Sequence, residues 1–217
     1  MKQTTNSPEL PLRIGITGGI GSGKSYVCHQ LEQAGHRIFY CDDEAKRIIR
    51  THPDVMDELR ALVGPQVYDA NGGLNKPVLA AFLCQGRHYS QQVDRIVHPR
   101  VAQAFGQFCA AQPSATNANL PIPPGKCLSL EALQQLPASG VVFMECALLF
   151  ESGFNRLVDY SVLVHVSAQT QLLRLMARDH ISAQKAQSWI DLQLSESEKM
   201  ARADAYIVNE DAYIVNE

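Results

Sequence analysis

Apolar residues recur along this chain with two periods, and the switches between them divide it into elements. Leu12 to Thr17 is a short apolar-rich run that predicts a buried strand. After a glycine-rich stretch, Val27, Leu31 and Ala34 fall at helical spacing. Gly35 suits the C-terminal cap of that helix, the β-formers of "RIFYC" at 37–41 predict a second strand, and a further helix starts near Asp42 to Glu44. From Pro53 to Phe108 the spacing is helical: 54–63, a turn at "DANGG" (69–73), then helices around 77–85 and 90–110. Val93, Ile96, Val97, Val101, Ala104, Phe105 and Phe108 keep one apolar face across Pro99, which is expected to kink or restart the last of these helices. Pro113, Pro121, Pro123 and Pro124 mark 112–126 as surface loop. "VVFME" at 141–145 and "SVLVHV" at 161–166 predict two more strands, each followed by helical sequence. The helix near 169–179 is expected to bury Leu172, Leu173 and Met176 and to set Arg174 and Arg178 on another face; a second helix follows near 182–194.

Strands that alternate with helices imply a parallel sheet covered on both faces, an α/β fold in which the helical stretch after residue 53 is an insertion between strands. The tail carries "DAYIVNE" at 204–210 and again at 211–217. Two copies of seven residues are too few and too short to stack as a solenoid. The first copy reads as a last strand, and the second as an oddity of the sequence record.

Composition narrows the class. With 217 residues, 46% hydrophobic and 19% charged, the chain has the make-up of a globular protein and the length for one substantial core, with or without a smaller lobe. A net charge of −3 gives no broad attraction for nucleic acid or an anionic membrane. "MKQTTNSPELPL" lacks the apolar stretch of a signal peptide and no later run approaches membrane-spanning length, so a cytoplasmic protein is expected. Cys28, Cys41, Cys84, Cys109, Cys127 and Cys146 form no C-x-x-C pair and no compact cluster with histidine, which argues against a zinc site or a disulfide framework.

The candidate chemistry starts in "GITGGIGSGKS" at 15–25, where Gly18, Gly23, Lys24 and Ser25 fit G-x-x-x-x-G-K-[ST] between a predicted strand and a predicted helix. Such a loop, here Gly18, Gly19, Ile20, Gly21, Ser22 and Gly23, lets successive N–H groups converge on an anion beside a helix N-terminus. Lys24 is expected to reach the β- and γ-phosphates of a nucleotide, and Ser25 to offer its hydroxyl to Mg²⁺. The guanine-reading N-K-x-D pattern is missing, since Asn75-Lys76 continues as Pro77-Val78.

Other residues allow two readings each. Asp42, where the second strand ends, suits a carboxylate that orients an attacking hydroxyl and takes its proton, or equally a helix N-cap. Glu145 closes "VVFME" as an acid for the Mg²⁺ shell or as an ordinary strand end. Arg174 and Arg178 suit a lid that clamps phosphate oxygens, although helical arginines are more often solvated. His98 before Pro99 fits a ligand contact or a structural histidine at a kink.

Together, "IGITGGIGSGKS", "YCDDEAKRI", "LNKPVLAAFL", "IVHPRV", "LLFESGF", "QLLRLMARD" and "ADAYIVN" resemble the dephospho-coenzyme A kinase family over about residues 12–210. The resemblance implies a P-loop NTPase fold with a core at about 12–52, 139–168 and 203–210. It further implies a helical acceptor lobe at about 53–111, a loop at 112–138 and a helical lid at about 169–202. The implied activity is transfer of the ATP γ-phosphoryl group to the ribose 3′-hydroxyl of dephospho-coenzyme A, with Mg²⁺. Asp42 matches the family's proposed catalytic aspartate, with Lys24 and Arg178 beside it in the reaction. Arg174, Arg202 and Asn209 match positions near the nucleotide, and His98 and Pro99 match the element facing the acceptor. Four departures stand out: Tyr40 replaces the first acid of a D-x-D, Ala147 replaces a proline, 112–138 is longer than the corresponding loop, and the helix expected after Asn209 is absent. The rival readings are a different small-molecule or nucleoside monophosphate kinase, and a nucleotide-dependent switch without transfer activity.

Overall fold

The computed structural model describes residues 10–113, 122–123 and 126–210; the N-terminal polar segment, most of the proline-rich loop and the second "DAYIVNE" lie outside the described residues. In chain order the regular elements are β1 (Leu12–Thr17), α1 (Lys24–Gln33), β2 (Arg37–Tyr40), α2 (Cys41–Thr51), α3 (Pro53–Val63), α4 (Lys76–Leu83) and α5 (Arg87–Ala110). They continue as β3 (Cys127–Leu128), α6 (Leu130–Gln134), β4 (Val141–Glu145), β5 (Tyr160–His165), α7 (Ala168–Asp179), α8 (Ala183–Ile190), α9 (Glu196–Arg202) and β6 (Ala205–Val208). Among the described residues no helix is long and apolar enough to cross a membrane.

The chain divides into two compact units, one of Met1–Phe39 with Phe108–Glu217 and one of Tyr40–Gln107. The first holds the sheet, in the order β2-β4-β1-β5-β6-β3. Its ladders are parallel: β1 pairs with β4 through Leu12↔Val141 and with β5 through Ile14↔Tyr160, and β6 pairs with β5 through Val162↔Ala205. Every residue of β4 is buried, as a strand covered on both faces requires. Charged and polar ties fix the strand ends. Arg13 makes a two-pronged contact with Asp159, and the Ser161 N–H and hydroxyl both donate to the Asp204 carboxylate just before β6.

The second unit begins at Tyr40, so residues 40–52, expected in the core, group with the helical unit. The Tyr68 hydroxyl donates to the Ile49 carbonyl of α2 at 2.5 Å, and Arg100 of α5 pairs with Glu58 of α3. The expected restart at Pro99 does not occur, because α5 runs unbroken from Arg87 to Ala110. Val93, Val97, Val101, Phe105 and Cys109 form a buried row at i, i+4 spacing across the proline, while Pro99 and Arg95, whose carbonyl loses its helical partner, lie on the exposed side.

Two other expectations are corrected. The segment 112–138 is not all loop: Cys127 pairs with Tyr206 so that β3 extends the sheet by one strand, and Ser129 caps α6 by accepting from the Ala132 N–H. In α7 the buried row contains Gln171 and Leu175, whereas Leu173 is 55% exposed and Leu172 and Met176 are half-buried. A polar side chain holds the position that periodicity assigns to a leucine, and the reason lies in the site.

His36 of the first unit packs edge-on against Phe143 with ring centroids 5.1 Å apart. Its Nε2 lies 3.3 Å from the Gln134 carbonyl oxygen, and its buried Nδ1 has no partner among the described residues. Burial lowers its pKa, against the opposing pull of the Gln134 and Leu133 carbonyls. The unfolded chain therefore takes up this proton first as pH falls. The stability the neutral ring contributes is whole above about pH 6.5, the ordinary histidine value, and drains away as pH drops through the folded pKa. Urea denaturation of the wild type and of His36→Phe at about pH 7.5 and about pH 5 should show the wild type losing stability relative to the variant at the lower pH. A difference that does not change with pH contradicts this account.

Candidate functional site at the phosphate loop

β1 ends at Thr17 and α1 begins at Lys24, and the six residues between them turn the chain at the carboxyl end of the sheet. Gly21 and Gly23 have φ of 81° and 86°, the left-handed region that glycine enters without strain. Gly23 is the N-cap of α1 and, having no side chain, offers no side-chain cap to the first turn of the helix. The N–H groups of that turn and the positive end of the helix dipole suit an anion. Space is as tight as the torsions demand. A Cβ on Gly21 would lie 2.9 Å from the Gln171 carbonyl oxygen, and one on Gly23 would run into the Asn209 side-chain amide.

Side chains from distant elements hold the loop. Asn209, just after β6, donates from Nδ2 to the Ser22 carbonyl at 2.9 Å. Gln171 of α7 donates to the Ile20 carbonyl at 2.8 Å, and the Ile20 N–H donates to Gln193 Oε1 at 2.9 Å. Lys24 bends back over the loop, with Nζ 3.0 Å from the Gly18 carbonyl and 3.4 Å from that of Gly19. Arg174 of α7 donates from one terminal nitrogen to the Asn209 and Glu210 carbonyls at 2.8 and 2.9 Å. Glu210 in turn accepts from the Thr170 hydroxyl at 2.6 Å and from the Ser167 N–H at the start of α7. Those hydrogen bonds, Thr170's first, hold its carboxyl below the usual range.

Glu145, the last residue of β4, is buried beside β1 with Ile16 opposite it in register. The Cys28 thiol of α1 registers two of the site's charges: burial raises its pKa most, Glu145 raises it further and Lys24 opposes. A recess of about 400 Å³ opens next to the loop, between Tyr26 and Val27 of α1, the segment 127–131, and the end of β6 at 207–209. Asn209 thus lines the recess and ties the loop at once. The loop's geometry suits an anion, and the recess beside it has the volume of a small-molecule site.

The family model for dephospho-CoA kinase matches residues 12–124 and 126–214. The chain belongs to the dephospho-CoA kinase family. A dephospho-CoA kinase of Bacteroides fragilis strain YCH46 is 35% identical over 201 residues, spanning 93% of this chain and 86% of its own. That of Syntrophotalea carbinolica is 34% identical over 200 residues, spanning 91% and 83%. Among solved structures, a Thermus thermophilus protein superposes with a TM-score of 0.69 at 26% identity, covering 92% of this chain and 88% of the other. Dephospho-CoA kinase from Campylobacter jejuni, at 19% identity, shares the fold with a TM-score of 0.59 over 93% and 89%.

In this dephospho-CoA kinase family member the first unit brings together Gly18 to Ser25, Arg174 and Asn209. Arg178 is not among them, because its guanidinium is engaged by Asp179 through contacts of 3.1 and 2.8 Å and is more than half exposed. Arg202 closes α9 as an exposed residue. Asp42, His98 and Pro99 belong to the second unit. Asp42 does not cap its helix: Tyr40 holds the N-cap position of α2 without a side-chain cap, and Asp42 sits exposed in the first turn. Its neighbours Asp43 and Glu44 are paired with Lys46 and Arg47, while Asp42 has no such bond among the described residues. His98 Nε2 stands 3.4 Å from Asp94. Sequence reasoning missed Gln171, Gln193 and the buried Lys199, whose one visible signal is a glutamine one turn ahead of Leu175 on a helix face that periodicity fills with leucine.

Asn209→Ala should lower the unfolding free energy by about 1–3 kcal/mol, since the Ser22 carbonyl is left unpaired in a buried setting. Chemical denaturation measures this, and an unchanged midpoint would contradict the tie.

Proposed function

We propose that the chain transfers the γ-phosphoryl group of ATP to the ribose 3′-hydroxyl of dephospho-CoA, giving CoA and ADP. The observation that carries this reading is the tied phosphate loop, with its two left-handed glycines and Lys24, in a chain of this family. The N–H groups of residues 18–25 and the Lys24 ammonium take the β- and γ-phosphates. Lys24 then exchanges its two carbonyl contacts for phosphate oxygens, while the recess by Tyr26 and Asn209 takes the nucleoside. The buried Ser22 hydroxyl has no partner among the described residues, which fits a loop completed by a bound ligand.

The hydroxyl of Ser25 and the carboxylate of Glu145 are hard oxygen donors that suit Mg²⁺. Among the described residues no cluster of three or more acidic, histidine or cysteine side chains suits a metal, in keeping with an ion that keeps its waters and rests on substrate phosphates. When bound, Mg²⁺ neutralises charge that develops on the phosphate oxygens.

Asp42 orients the 3′-hydroxyl and accepts its proton as the new P–O bond forms and the bond to the ADP oxygen breaks. Its support is a carboxylate that has no ion-pair partner among the described residues, at the start of the helix that follows β2. His98 and Pro99 face the acceptor, and residues 53–111 form its lobe. Residues 169–202 act as the lid: Arg174 already borders the loop beside Asn209, which follows β6, and Arg178 leaves Asp179 to reach the transferring phosphate. Six free thiols support a reducing compartment, the cytoplasm.

ADP formation should depend on added dephospho-CoA. Asp42→Asn should keep its affinity for ATP and lose about 100-fold or more in kcat, the scale of positioned acid–base help, whereas Lys24→Ala should weaken ATP binding itself. ADP release that ignores the acceptor rules out the transfer, and near-normal turnover in Asp42→Asn removes that residue from the chemistry.

A further inference from the structure

Ile20 of the phosphate loop is held at both its N–H and its carbonyl, and so on both of the peptide groups that meet at its Cα, by side chains that none of the roles above employs. The Ile20 carbonyl accepts from Gln171 Nε2 at 2.8 Å, and the Ile20 N–H donates to Gln193 Oε1 at 2.9 Å. Gln193 does not act alone, since the Lys199 ammonium lies 3.4 Å from the same Oε1. Both neighbours of that oxygen are donors, so the Gln193 amide has one orientation that satisfies them; the flipped amide would set its NH₂ against an N–H and an ammonium.

Lys199 is an unusual residue to find at such a position. It is 2% exposed. Burial lowers its pKa, with Glu151 and Glu196 opposing and Lys24 adding to the fall. The surrounding segment is braced for it: the Leu194 N–H donates to Glu151, Glu196 engages His165 at the end of β5, and Ser195 and Glu198 make a capping box that starts α9. Gln171 is equally out of character as a buried polar residue at 7% exposure. Gly19 gives it room, for a Cβ there would collide with the Gln171 Nε2. The chain thus places a buried amide and a buried ammonium in the α7–α9 segment, and their hydrogen bonds converge on a single loop residue.

We propose that Gln171, Gln193 and Lys199 are positioning residues for ATP, which fix the two peptide groups flanking Ile20 so that the loop holds its phosphate-binding shape. Lys199 acts through Gln193: its charge orients the amide, and the amide sets the Ile20 N–H. The clamp also links the loop to the segment assigned as the lid, so that nucleotide affinity depends on residues that touch no phosphate. This inference rests on the ATP-dependent transfer proposed above.

The test is steady-state kinetics on the full chain, with calorimetric titration of ATP and thermal unfolding measured on the same samples. Wild-type turnover with dephospho-CoA comes first, and its absence would count against the function rather than the clamp. Gln193→Leu removes the shared acceptor and should raise KM for ATP about tenfold, the size of one hydrogen bond, with a matching loss of affinity by titration and KM for dephospho-CoA within about twofold. Gln193→Glu keeps an oxygen that accepts from both donors and should recover most of the loss. Lys199→Met should fall between the two. Equal changes in both KM values, an ATP affinity unaffected by Gln193→Leu, or a Gln193→Glu variant as impaired as Gln193→Leu overturns the proposal, and a lowered unfolding temperature with unchanged ATP affinity reduces the three residues to packing.

Discussion

The hydrogen bond from the Asn209 side chain to the Ser22 carbonyl joins residues 187 positions apart, and the rest of the site depends on ties of this kind. A loop that aims its N–H groups at an anion cannot satisfy itself by regular secondary structure. Its glycines supply the torsions but no rigidity, because glycine loses more conformational freedom on ordering than any other residue. The missing order is imposed from outside, by Asn209 at the end of β6, by Gln171 and Gln193, and by Lys24 bent over the loop carbonyls. Each is a side chain bonded to a main-chain atom. Backbone is what the loop presents to a phosphate, so backbone is what has to be fixed.

This requirement explains features that look like errors of patterning. Gln171 occupies a core row of α7 and turns Leu173 out to solvent. Lys199 is buried where the desolvation of an ammonium costs stability, offset in part by Glu151 and Glu196. Glu210 spends its carboxylate on the first turn of α7, which keeps that helix, and with it Arg174, against the strand end that carries Asn209. The parallel sheet sets the frame: β1, β5 and β6 are successive parallel neighbours, so the phosphate loop, the start of α7 and the residues after β6 all emerge at the carboxyl end of the sheet.

Much of this was legible in the sequence. The runs 12–17, 37–41, 141–145 and 161–166 alternate with helical spacing and correspond to β1, β2, β4 and β5, because a parallel sheet covered on both faces demands continuous apolar strands. The phosphate loop was legible because its chemistry is backbone chemistry, and glycine spacing reports backbone directly. What was hidden has a common cause, in that tertiary partners overrode local signals. Pro99 signalled a kink or a restart, and the restart is not made because the buried row from Val93 to Cys109 runs through it, while the prolines of 112–126 masked a two-residue strand just beyond them that pairs with the edge of β6. Arg178, legible as a lid arginine, is occupied by Asp179 beside it. Of the two readings Asp42 carried, the structure removes the cap, because Tyr40 holds the N-cap position of α2.

The central claim is that this loop delivers the terminal phosphate to a ribose hydroxyl of dephospho-CoA and to nothing else. Phosphorus NMR of a reaction containing the chain, ATP, magnesium and dephospho-CoA tests it most directly. The account predicts a new phosphomonoester resonance, coupled to the ribose 3′ proton, that grows in step with ADP. Inorganic phosphate accumulating while dephospho-CoA stays unchanged, or a phosphate on any other position of the acceptor, would contradict it.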